Sequence, residues 1–63
     1  MKVEANKNYR VWKYNNNSDS DLGILTGEDV KKLLKGYKYE ELLPGMGMWY
    51  SEGGRIAYDV KEV

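Results

Sequence analysis

Catalysis in a short chain usually starts from a histidine, a cysteine, or two carboxylates in unlike surroundings. This sequence has no histidine and no cysteine among its 63 residues. Ser–His and Cys–His nucleophile pairs are therefore impossible, and the common zinc ligands are missing with them. The carboxylate pairs that remain are Glu28/Asp29, Glu40/Glu41 and Asp59/Glu62. Acid–base work would need one member of a pair in an apolar pocket that raises its pKa. All three pairs lie in contexts that predict exposure, so a solvated helix start or strand face is the expected role. A substrate pocket of roughly 300–1,000 Å³ is also hard to house in so few residues. No catalytic residue is assigned, and the chain reads as a non-enzyme.

Asn15, Asn17, Asp19 and Asp21 set oxygen ligands at alternate positions, as a calcium loop does. Position 20 is Ser where that loop needs Gly, and Thr26 stands where it needs Glu. A polar connecting loop is the better reading, and no metal site or cofactor is expected. Gly45-x-Gly47 and Gly53-Gly54 resemble a phosphate cradle only in composition. A cradle leads into a helix N-terminus, whereas these glycines adjoin strand-like segments and read as turn residues.

Aromatic residues exceed what folding obviously needs. Trp12, Tyr14 and Trp49 are expected on one sheet face, fringed by Arg10, Arg55 and Lys61. Trp, Tyr and Arg are the residues enriched at protein-binding hot spots. The same set also suits a stacking platform for single-stranded nucleic acid. A third reading has Trp12 or Trp49 completing a small core from its second side. Ten basic and ten acidic residues balance to zero. That counts against nucleic acid, because phosphate binding normally shows a basic excess.

The elements that must carry these residues follow from pattern. Sixty-three residues make a single domain, 1–63, with 1–7 as a loose N-terminal arm. Such a chain buries only about 60% of its unfolded surface, so large aromatic side chains or association with another chain must compensate. Tyr9–Tyr14 is aromatic and branched and reads as a strand. Asn15–Asp21 reads as a loop, with Leu22–Leu25 as an optional short extended segment. Thr26 caps a helix over about 27–35, with Glu28 and Asp29 in its first turn and Gly36 as its stop. Val30, Leu33 and Leu34 form its apolar stripe, which Tyr37 extends. Tyr39–Leu43 reads as one further helical turn, ended by Pro44.

Met46–Ser51 and Arg55–Val60 flank Glu52-Gly53-Gly54, a hairpin signal. A one-residue change in register inverts the faces of such a hairpin. A two-residue loop puts Trp49 with Ile56, Tyr58 and Val60. A three-residue loop puts Met46, Met48, Tyr50, Ile56, Tyr58 and Val60 together and leaves Trp49 on the polar face. The second separates apolar from polar better and is the expected register.

The fold class is therefore α+β: a small antiparallel sheet with one helix packed on a face, in the order β-(β)-α-β-β, ending in a C-terminal β-hairpin. The expected function is a small non-catalytic protein-interaction module that binds a protein or its own copy as a homodimer. Single-stranded nucleic-acid binding is the alternative. Size alone also fits the small host-binding proteins of phage and mobile elements. No apolar run approaches the roughly 18 residues of a membrane span, and a cytoplasmic location is expected.

Overall fold

The computed structural model describes residues 1–63. It consists of one sheet of five antiparallel strands and one helix. In chain order these are β1 (Asn8–Asn15), β2 (Ser18–Thr26), α1 (Gly27–Leu33), β3 (Lys38–Leu43), β4 (Met46–Tyr50) and β5 (Ile56–Glu62). Across the sheet the order is β2-β1-β5-β4-β3. The element order is thus ββαβββ rather than β-(β)-α-β-β.

Two segments expected to be loop and helix are strands instead. Asn15–Asp21 is not a long loop, because only Asn16 and Asn17 separate two full strands. Ser and Asp are tolerated at positions 18–21 because β2 is an edge strand with its outer side in water. Tyr39–Leu43 is not a helical turn either. It pairs along β4, from Lys38↔Tyr50 to Leu43↔Met46, around a Pro44-Gly45 turn. Gly45 takes φ 78° there, which suits the third position of a type II turn after proline.

The helix start is as expected, with the Thr26 hydroxyl accepting the Asp29 N–H at 3.2 Å. Its Val30 and Leu34 join Tyr9, Val11, Tyr58 and Val60 in one buried cluster. Full burial of an apolar side chain is worth about 1.5–3 kcal/mol, and Val11 and Val30 are 0% exposed. The helix backbone lies against β1 and β2, so it covers only part of that face. Aromatic side chains continue the cover. Tyr37 meets Tyr58 at 5.2 Å between ring centroids, and Tyr39 meets Trp49 at 5.3 Å.

The N-terminal segment is not a loose arm. Val3 is part of the buried cluster, and the Glu4 N–H donates to the Tyr9 hydroxyl at 2.8 Å. Gly27 makes this possible, since its N–H donates to the Lys7 carbonyl and any Cβ there would collide with the Glu4 carbonyl. No helix is long and apolar enough to cross a membrane.

Candidate functional site

Three of the five binding residues named from sequence carry ring systems, and the sheet separates them. Trp12 and Tyr14 occupy one face. Trp49 pairs with Tyr58 and therefore lies on the opposite face, packed against the core. The cause is the β4–β5 connection, in which Ser51 pairs with Ile56 across Glu52–Arg55. The Ser51 N–H donates to the Ile56 carbonyl at 2.9 Å, and the Ser51 Oγ accepts the Ile56 N–H at 3.1 Å. A four-residue connection has the face parity of the two-residue loop, so the expected three-residue register is overturned. Burying the Trp49 ring among Tyr39 and Tyr58 outweighs the tidier polar pattern of the other register. Tyr50 takes the place expected of Trp49, beside Tyr14, with the buried Ala57 between them.

Arg10 sits over the Trp12 ring, 5.0 Å from its centroid, and its guanidinium is paired with Asp21. Asp21 also accepts the Gly23 N–H at 2.8 Å. That backbone bond, with Arg10 second, holds the Asp21 carboxyl below its ordinary range. Trp12 is flanked across the strands by Asp21 and Asp59, and Tyr14 by Asp19. Arg10 and Trp12 are thus already engaged with each other, in acidic surroundings. Arg55 lies exposed in the β4–β5 turn, away from this group. Lys61 does stand opposite Arg10.

Sequence reasoning missed an open, largely apolar hollow in the surface. β4 pairs with β5 only at Trp49↔Tyr58 and Tyr50↔Ala57, although β5 continues to Glu62 and β4 begins at Met46. The two strands part below that point, and a hollow of about 550 Å³ lies between them. Leu42, Leu43, Met46, Met48 and Tyr50 supply its apolar lining, with Glu40, Glu41, Asp59 and Lys61 also in its wall. Leu42 is 82% exposed, Leu43 60% and Met46 67%. Tyr39 braces the hairpin by lying across Gly47, where a Cβ would strike its ring, and donating to Glu41 at 2.8 Å. That bond stabilises the protonated phenol and pushes its pKa up. Pro44-Gly45 between two apolar runs is the sequence signal that marks this hairpin.

The chain matches no protein-family model, no curated protein and no solved structure.

Function must therefore be argued from this surface alone. No three acidic side chains come together as a metal site would require. Asn15 and Asn17 of the calcium-like spacing lie at the β1–β2 turn, while Asp21 is engaged with Arg10 and Gly23. The hollow is larger than expected for so short a chain. Its shape is an open groove with apolar walls and a charged rim, which suits a flat or extended partner.

Proposed function

We propose that this chain is a small non-catalytic interaction module that engages a protein through the turn end of the β3–β4 hairpin. The supporting observation is the exposure of Leu42, Leu43 and Met46 around the hollow between β4 and β5. Contiguous apolar surface rimmed by charge marks protein contacts, because a monomer that left it in water would be prone to aggregate. Zero net charge gives no electrostatic protection against that fate, so a partner is the economical explanation. The Trp12–Tyr14–Tyr50 face is a weaker candidate. Asp19, Asp21 and Asp59 around its rings would repel phosphates, which counts against the stacking platform for nucleic acid.

The test is a double substitution, Leu42→Ser with Met46→Ser, at positions whose exposure leaves the core untouched. Cross-linking in cells that express the chain, and light scattering over a dilution series, are compared with the unsubstituted chain. The reading expects protein adducts, or a dimer, that the substitutions remove while the circular dichroism spectrum stays the same. Identical adducts and identical mass in both chains would sink it.

A further inference from the structure

We infer that the opening between β4 and β5 is a slot for an extended segment of a partner protein, apolar at alternate positions and flanked by Lys or Arg. This rests on the interaction reading above and names its site and the chemistry of its partner.

Backbone direction carries the first half of the argument. The Val63 N–H donates to the Asn8 carbonyl at 3.1 Å, and the Ser51 N–H to the Ile56 carbonyl at 2.9 Å. In an antiparallel ladder, alternate residues turn their N–H and C=O toward alternate neighbours. Stepping by two from these bonds, Ala57, Asp59 and Lys61 address β1, while Tyr58, Val60 and Glu62 address β4. On β4, Trp49 and Gly47 address β5. Trp49 meets Tyr58, and the ladder stops there. The main-chain groups of Gly47 on one side and of Val60 on the other front the opening with no strand partner, and Glu62 turns its own to the same side just beyond the lining. A lipid tail or an apolar small molecule offers nothing to these donors and acceptors. An extended peptide offers a complementary row and sets alternate side chains against the Leu and Met walls, which is strand addition at a sheet edge.

Charge supplies the second half. Glu40, Glu41 and Asp59 line the opening together with Lys61 and with Met1, whose α-amino group adds a second cation, so acidic groups still outnumber basic ones. None of these groups takes part in an ion pair, since those present join Lys7 to Glu4 and Glu62, Arg10 to Asp21, and Lys32 to Glu28. A segment with basic flanks complements this rim. The chain's own edge strand β3 carries Glu40 and Glu41 with one Lys38, so a second copy would meet like charge there.

Selection of random octapeptides displayed on phage, using the full chain as bait, tests the inference. The expected winners alternate apolar residues between basic flanks. With such a synthetic peptide at ten times its Kd, amide exchange at Val60 and Glu62 should slow roughly tenfold, while the outer edge of β2 is unaffected. N-methylating the peptide at alternate residues should weaken binding at least about tenfold, because it removes the strand bonds. Acid-flanked winners, protection on β2 or the outer edge of β3, or full-strength binding by the N-methylated peptide would each overturn the slot. If no octapeptide is enriched but Leu42→Ser with Met46→Ser abolishes a dimer, the slot fails and the interaction reading survives. Flotation of the chain with phosphatidylcholine vesicles, lost on the same substitutions, would assign the surface to lipid and overturn both.

Discussion

Replacing each tryptophan in turn separates the two sheet faces energetically. Trp49→Ala empties a site packed among Tyr39, Tyr58 and the buried cluster. A partly enclosed indole at the low end of the aromatic range covers about 150 Å², worth about 4 kcal/mol at 25 cal/mol/Å². Compactness of the unfolded chain lowers this by about 10–40%, to about 2.5–3.5 kcal/mol. A domain of this size has roughly 3–5 kcal/mol in all, so most of it disappears. At about 4–8 °C per kcal/mol, the thermal midpoint falls by about 10–28 °C. Trp12→Ala removes a ring outside the cluster and one cation–π contact worth about 0.5–1 kcal/mol, so its total cost is about 1 kcal/mol. Urea and thermal unfolding followed by far-ultraviolet circular dichroism measure both. The Trp49 Nε1 is buried without an acceptor, so Trp49→Phe, which keeps a ring and deletes that donor, should cost under about 1 kcal/mol. Equal costs for the two alanine variants would refute the β4–β5 register and the facial separation built on it.

Three further outcomes follow from particular contacts. Gly27→Ala would ordinarily favour a helix, yet here its methyl meets the Glu4 carbonyl; a loss of about 1–3 kcal/mol in urea titration is expected, and a gain would mean Val3 does not pack as described. Thr26→Ala removes the cap on Asp29 and should lower stability by about 1 kcal/mol, with Thr26→Ser restoring most of it. Asp21 has a lowered folded pKa, so its contribution is present above its ordinary value of 3.8 and is lost as pH falls through the lower folded value. Asp21→Asn should therefore lower the thermal midpoint at neutral pH and flatten its acid limb, and parallel acid limbs in the two chains would contradict the pairing with Arg10 and Gly23.

Local signals were legible where local chemistry decides structure. Thr26 with Glu28 and Asp29 marks a helix start whatever surrounds it, and the branched aromatic run of β1 suits a sheet interior. Tyr39–Leu43 misled because Glu-Glu-Leu-Leu is good helical composition, and only pairing with β4 overrides it. Pro44-Gly45 was the cue against a helix. Ser18–Asp21 carries residues depleted from strands and forms one only because β1 supplies a template. The β4–β5 register was least legible, since a single residue of loop length inverts the faces and the glycine pair admits several lengths. The binding residues inherited that error: Trp12, Tyr14 and Arg10 do come together, Trp49 goes to the core side, and Arg55 stays in the turn. The hollow left no trace in sequence, because it arises where two strands stop pairing.

The sheet order also governs the route by which the chain folds. β5 is the last strand in sequence and the middle strand in space, with Tyr9 opposite Glu62. Until β5 is in place, β1–β2 and β3–β4 are two separate hairpins, and an isolated hairpin is marginal in water. A nascent chain can therefore rehearse its local turns but cannot close a core before residues 56–62 are free to dock. Such distant pairing places folding toward the slow, roughly millisecond-to-second, end of small domains. In that interval both hairpins expose unpaired edges, and the apolar tip at Leu42–Met46 adds exposed surface of the kind that drives aggregation.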